Sequence, residues 1–258
     1  MRINHNITAQ NNHRNMTLNN VATSKNMEKL SSGLRINRAG DDAAGLAVSE
    51  KMRGQIRGLE QAQRNVQDGI SFIQTAEGAM NEISAMLVRM KELNVQHATG
   101  TYTTAQKTNS IEVELKALTS QIDSILDNTK FNGIGISGTG SVKIQADDDT
   151  VKIDIGKITT TSIKGLAGTT SLGQVEKAIT AVSTERAKLG ALQNRLEYTS
   201  NNLGTTIENL TASESRIRDT DMADEMVKLT KNQILLQASQ AMLAQANSAP
   251  QGVLSLLR

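Results

Sequence analysis

Gly133, Gly135 and Gly138 carry the G-x-G-x-x-G spacing that cradles a dinucleotide pyrophosphate. That chemistry needs a strand before the glycines and a helix start after them. Here a helical pattern comes first and a strand-like pattern follows, so the run reads as a loop. Asp219, Asp221 and Asp224, and the triplet Asp147 to Asp149, could gather a cation, but neither has the central Gly and closing Glu of a calcium loop. The three histidines, His5, His13 and His97, form no H-E-x-x-H, and no G-x-S-x-G or phosphate-binding loop occurs. With no cysteine there is no thiolate nucleophile, thiolate metal site or disulfide. Arg53, Arg57 and Arg64 share a helix face, yet Glu50 and Glu60 lie among them and the net charge is only +2. A helix that binds DNA needs a denser positive stripe. Two Phe, two Tyr and no Trp also argue against an ordinary compact enzyme, whose core and pocket lean on aromatic rings. No catalytic, cofactor, metal or nucleic-acid site is therefore expected. No apolar run is long enough to predict a membrane span.

What the chain does repeat is the heptad. Met52, Leu59, Val66, Ile73, Met80 and Leu87 stand seven apart, with Ile56, Ile70, Ile83 and Met90 as companions. This seam predicts a coiled-coil helix over 43–98, roughly 80 Å long. Its methionines read as core filler. Ile111, Leu115, Leu118, Ile122 and Ile125 predict a second helix over 104–128, capped by Thr103 with Gln106 and carrying a Glu112–Lys116 pair outside. Val175, Val182, Leu189, Leu196, Leu203, Leu210 and Ile217 predict a third, capped by Ser171 with Gln174. The phase then slips at 218–221, and Met222, Leu229, Leu236 and Leu243 continue it. Such a slip reads as a change of supercoil or partner within a continuing helix. Between the helices, Val142, Ile144 and Ala146 and then Val151, Ile153 and Ile155 alternate with polar residues around Asp147 to Thr150, which predicts a β-hairpin. Ile158, Ile163 and Leu166 are expected to extend or cover it.

The expected fold is thus mainly α. Long antiparallel coiled-coil helices come from both chain ends, with a small β-hairpin region inserted in the middle. The expected segments are 1–42, 43–131, 132–171, 172–217 and 218–258. The first forty residues are only loosely helical in period. The tail ends in an apolar cluster, Val253, Leu254, Leu256 and Leu257, costly to leave in water. Both ends are expected to order only against a partner. Met1 to Gln10 lacks the apolar stretch of a secretory signal, so an external protein would leave by another route.

The run Leu30-Ser31-Ser32-Gly33-Leu34-Arg35-Ile36-Asn37-Arg38-Ala39-Gly40-Asp41-Asp42-Ala43-Ala44-Gly45-Leu46 resembles the N-terminal signature of bacterial flagellin. Residues 65–74, Phe131-Asn132-Gly133, Asn201-Asn202-Leu203, residues 213–219 and the tail from Gln240 resemble it too, so the likeness spans about 1–135 and 172–258. The middle, where that family varies most, is short here. The resemblance implies a non-enzymatic subunit without cofactors, secreted to the extracellular flagellum through the flagellar channel and polymerised with copies of itself. The chain ends would pair as helices in the filament core, packing through Ile3, Ile7, Leu236, Leu243, Val253, Leu254, Leu256 and Leu257. Implied partners are an export chaperone on about 229–258, the flagellar cap and the hook-junction proteins. Val88 to Gln96 resembles the family's contact for the host Toll-like receptor 5, which implies Arg89, Leu93 and, on the next helix, Glu114 as receptor contacts. Alternatives are a hook–filament junction protein of the same family and, more remotely, a coiled-coil chaperone.

Overall fold

Nothing interrupts the heptads before Pro250, the chain's one proline, and long helices result. A computed structural model describes residues 6–101, 103–138, 140–147, 152–160, 163–164, 166 and 171–256. The helices are α1 (Ile7–Ser32), α2 (Ala43–Ala98), α3 (Thr104–Gln106), α4 (Glu112–Asn128), α5 (Leu172–Arg218) and α6 (Met222–Leu256). Four short strands, β1 (Lys130–Phe131), β2 (Ile134–Gly135), β3 (Ser141–Gln145) and β4 (Lys152–Gly156), lie between α4 and α5. The chain folds as two compact units, Gln55–Glu208 and Met1–Gly54 with Asn209–Arg258, divided within α2 and α5.

In the unit Gln55–Glu208, α2 and α5 run antiparallel. Lys91 meets Glu176 at 3.0 Å and Glu77 meets Arg186 at 3.7 Å, so one helix ascends as the other descends. Leu59, Val66, Ile73, Met80 and Leu87 on α2 are buried, as are Val175, Val182, Leu189, Leu196 and Leu203 on α5. Full burial of such side chains stabilises by about 1.5–3 kcal/mol each. The column ends of both helices, Met52, Leu210 and Ile217, lie in the other unit and are half-buried. Ile111, Leu115, Ile122 and Leu126 add the buried face of the α4 stretch. The stretch predicted as one helix over 104–128 contains a π turn at Lys107–Ile111. Within it, Glu112 faces His97 Nε2 at 3.7 Å rather than Lys116.

The predicted hairpin forms with Ser141 opposite Gly156 and Gln145 opposite Lys152. Val151 and the turn residues 148–150 lie outside the described residues. Ile153 and Ile155 turn inward, and Asn65 Nδ2 on α2 donates to the Gln145 carbonyl at 3.3 Å. Ile158, Ile163 and Leu166 are buried, and Ile158 forms an isolated parallel bridge with Ser137. The pattern reading missed a smaller hairpin. Phe131 pairs with Ile134 across Asn132 (φ 48°) and Gly133, the Asn-Gly combination that favours a tight hairpin turn. It sets Phe131 edge-on to Phe72 of α2, ring centroids 6.0 Å apart.

In the other unit, α1 ends where Gly33 adopts φ 72° and donates its N–H to the Lys29 carbonyl at 2.8 Å, a left-handed cap that a side chain would strain. The expectation of a continuous helix through 218–221 is corrected: α5 stops at Arg218 and α6 starts at Met222. The backbone there is committed elsewhere. Arg35 N–H donates to the Arg218 carbonyl (2.6 Å), Thr220 N–H donates to the Gly33 carbonyl (3.0 Å), and Leu34 bridges Asp219. Asp221 then caps α6, its Oδ1 accepting from Ala223 N–H at 2.9 Å.

Candidate assembly and recognition surfaces

The terminal helices α1 and α6 pack along each other. Burial marks the facing positions. On α6, Glu225, Leu229, Asn232, Leu236, Ser239, Leu243 and Ala246 are buried or half-buried, giving one leucine column and one polar column at heptad spacing. On α1, Ala9, Met16, Thr23 and Leu30 form one column and Asn12, Asn19 and Asn26 the other. The asparagines make the contacts. Asn6 Nδ2 donates to the Ala246 carbonyl (2.7 Å), Asn12 Nδ2 to the Met242 carbonyl (3.4 Å) and Asn19 Nδ2 to Ser239 Oγ (3.5 Å). With its amide oriented to match its neighbours, Asn26 donates from Nδ2 to Glu225 Oε1 and accepts at Oδ1 from Asn232 Nδ2, both at 3.0 Å.

Of the residues expected to pack between subunits, Leu236 and Leu243 are thus placed in the seam inside the chain, while Ile7 stands outward. Ile3 and Leu257 lie outside the described residues, as do the side chains of Val253, Leu254 and Leu256. The outward faces carry other apolar residues. Leu18 and Val21 on α1 and Val227, Ile234, Leu235 and Met242 on α6 are all exposed, Val227 by 67% and Leu18 by 61%. An apolar stripe along an exposed helix marks an interaction surface.

The link from α1 to α2 forms a tightly bonded turn cluster. The Asp41 carboxylate accepts from the Arg38 and Asn37 amides at 3.1 and 3.3 Å. The Arg38 amide holds its pKa below the usual value, with Lys25 and Lys29 adding to the effect. Asp42 Oδ1 accepts from Gly45 N–H (2.9 Å) and so caps α2. Glu50 receives Arg218 Nη1 at 2.9 Å, and that bond, with Arg53 nearby, lowers its pKa as well.

The second candidate surface lies on the other unit. Arg89 Nε donates to Glu114 Oε1 at 2.9 Å and Arg89 Nη1 meets Glu92 Oε2 at 3.2 Å, an exposed pairing of α2 with α4. Val88, Val95 and Val113 are exposed. Leu93 lies beneath this face, at 2% exposure. The resemblance supplied a sequence pattern, whereas α2 turns every third or fourth residue of that pattern inward.

Among the described residues no group of three His, Cys, Asp or Glu could hold a metal ion. No helix among them is long and apolar enough to cross a membrane. The asparagine column escaped a search for apolar periodicity, although its seven-residue spacing was present to be read.

Comparison with known proteins agrees with this architecture. The bacterial flagellin N-terminal helical region matches residues 3–136 and the C-terminal helical region matches residues 172–257. Flagellin of Bacillus subtilis (strain 168) is 51% identical over 304 residues, covering all of both chains. Flagellin of Halalkalibacterium halodurans is 50% identical over 273 residues, again with full coverage of both. The flagellar filament 33 kDa core protein of Treponema phagedenis is 46% identical over 288 residues with the same coverage. The two matched regions contain the long helices and flank the β3–β4 hairpin, and the chain belongs to the bacterial flagellin family.

Proposed function

We propose that this flagellin, a structural subunit of the bacterial flagellar filament, polymerises through the outward apolar stripe of its terminal helix pair. The observation that carries the reading is the stripe itself: Ile7, Leu18, Val227 and Ile234 are each at least 59% exposed on helices whose facing sides are already spent on one another. Covering apolar surface gains about 25 cal/mol per Å². Docking each copy costs translational and rotational freedom, about 4–15 kcal/mol. Growth is therefore favoured where several neighbours contact each copy. A non-closing contact repeated by a screw operation yields an open filament rather than a closed oligomer. The role is structural rather than catalytic. The test is the full chain with Val227→Asp and Ile234→Asp, seeded with filament fragments and viewed by electron microscopy. The expected result is no rods, with the melting of residues 55–208 unchanged; rods of normal length would overturn the reading.

The finer partners rest on the same stripe. An export chaperone would hold residues 229–258, where Ile234, Leu235 and Met242 are exposed, before the chain passes through the flagellar channel and assembles. The cap and hook-junction proteins would meet it at the two ends of an extracellular filament. A second reading is recognition by Toll-like receptor 5. It is supported by Arg89, held between Glu92 and Glu114 on an exposed face, with Leu93 beneath that face.

A further inference from the structure

The facing sides of α1 and α6 divide into two columns that discriminate differently. In the mostly apolar column, Leu229, Leu236 and Leu243 of α6 share the seam with Met16, Thr23 and Leu30 of α1, the Thr23 hydroxyl being satisfied within α1 by the Asn19 carbonyl. A leucine packs acceptably against almost any apolar neighbour, so this column alone tolerates displacement. The polar column does not. Asn19 bonds Ser239, and Asn26 bonds both Asn232 and the buried Glu225. Moving α6 by three or four residues would set Asn19 and Asn26 against leucines and strip Glu225 of its amide partner. Rotating α6 would present Val227 and Ile234 to the same asparagines. Either error strands polar groups against apolar surface, which is costly.

We propose that Asn19 and Asn26 form a key that selects both the register of α1 on α6 and the face of α6 that α1 accepts. The problem is specific to this pair. Both helices carry apolar stripes on their outward faces, so a purely apolar α1 could dock on the wrong stripe of its own α6 or of another copy. Asparagine in the seam gives up packing and rejects those alternatives, as single polar seam residues do in coiled coils. The outer stripes then stay free for neighbouring subunits. The proposal rests on the filament reading only for where the pair is finally used; the pairing itself is internal to one chain.

The experiment measures register directly. The chain lacks cysteine, so Gln10→Cys and Gln233→Cys, both at exposed positions and far apart along the pair, accept nitroxide labels without ambiguity. Labelled full chain, free and diluted into unlabelled filaments, is examined by pulsed electron paramagnetic resonance. The parent should give one narrow distance. Asn19→Leu with Asn26→Leu should add distances displaced by several ångström, because a slip of half a heptad moves α6 about 5 Å along an axis on which the two labels stand well apart. A control that exchanges apolar residues in the companion column, Met16→Leu with Leu236→Met, should keep the single distance. A single distance in the asparagine variant, or equal broadening in the control, overturns the proposal. Failure of the parent to form rods would count against the filament reading instead, and the free-chain distances would still decide this one.

Discussion

Residues 55–208 and the terminal helix pair are built on the same seven-residue period with opposite chemistry. On α2, Val66, Ile73, Met80 and Leu87 are all 0% exposed, whereas on α1 the one buried residue is Thr23, at 9%. The first region closes its apolar surface within one chain. The second sets asparagines beside leucines in its seam and leaves Leu18, Val21, Val227 and Ile234 outside. Period alone therefore says that a helix has a partner. The residue type at the period says whether that partner is already present.

Removing one seam side chain from each region gives the largest expected contrast. Leu87→Ala should cost about 2–5 kcal/mol in denaturant unfolding of the 55–208 region, because a fully buried leucine leaves a cavity. Leu236→Ala, half-buried, should barely move that transition and should show itself instead as shorter or fewer filaments. Equal loss from both substitutions in the unassembled chain would erase the distinction between the regions.

The terminal unit is not uniformly loose, and a glycine within it sharpens the comparison. A Cβ at Gly45 would collide with the Asp42 carboxylate and lie 2.9 Å from Ile36 Cδ1. Ile36 is itself buried in the turn cluster. Gly45→Ala is expected to destabilise by about 1–3 kcal/mol through overpacking, against which a helical alanine returns at most about 1 kcal/mol. Faster hydrogen exchange of the Arg35 and Thr220 amides should accompany it. Unchanged exchange there would mean that the cluster yields without strain.

These contrasts explain how much could be read from the residues alone. The α2 and α5 columns were legible because burial and hydrophobicity coincide at Leu59 through Leu87 and at Val175 through Leu203. The α1 seam was not, because the signal sought was apolar and Asn12, Asn19 and Asn26 are polar. The end of α5 was obscured by good helix formers on both sides. The cue was Asp221 followed by acidic Asp224 and Glu225, a helix-start pattern that weighs more than the unbroken apolar count. Arg89 and Glu114 were found as a pair, since a family pattern fixes identity well. The burial of Leu93 was not legible, because such a pattern does not say which residues turn inward.

At the Arg89 surface the expected structural effect is small and the recognition effect large. Its side chain is half exposed and its partners are solvated, so Arg89→Ala should leave thermal melting almost unchanged. The same variant should lower signalling by monomer in cells bearing Toll-like receptor 5 at least tenfold, an interface-scale loss. Leu93→Ala should do the reverse, lowering melting first. A receptor response insensitive to Arg89→Ala would confine that residue to packing.

The smallest expected effect is that of acid on the turn cluster. Asp41 and Glu50 both have lowered pKa values in the folded chain, the first chiefly through the Arg38 amide and the second chiefly through Arg218. A depressed carboxyl favours the folded state fully above its unfolded pKa, and that contribution fades as pH falls through the folded value. Neutral conditions should therefore hold the cluster, and acidification below the usual carboxylate range should release it. Both carboxylates are solvated, so the change should be modest and should shrink in high salt. The apolar columns of residues 55–208 carry no such dependence on these two groups. On a titration, exchange at Arg35 and Thr220, corrected for the intrinsic effect of pH, should accelerate before the amides of α2 around Met80 do. Simultaneous release of both would mean that the cluster draws its stability from the long helices and not from its own charges.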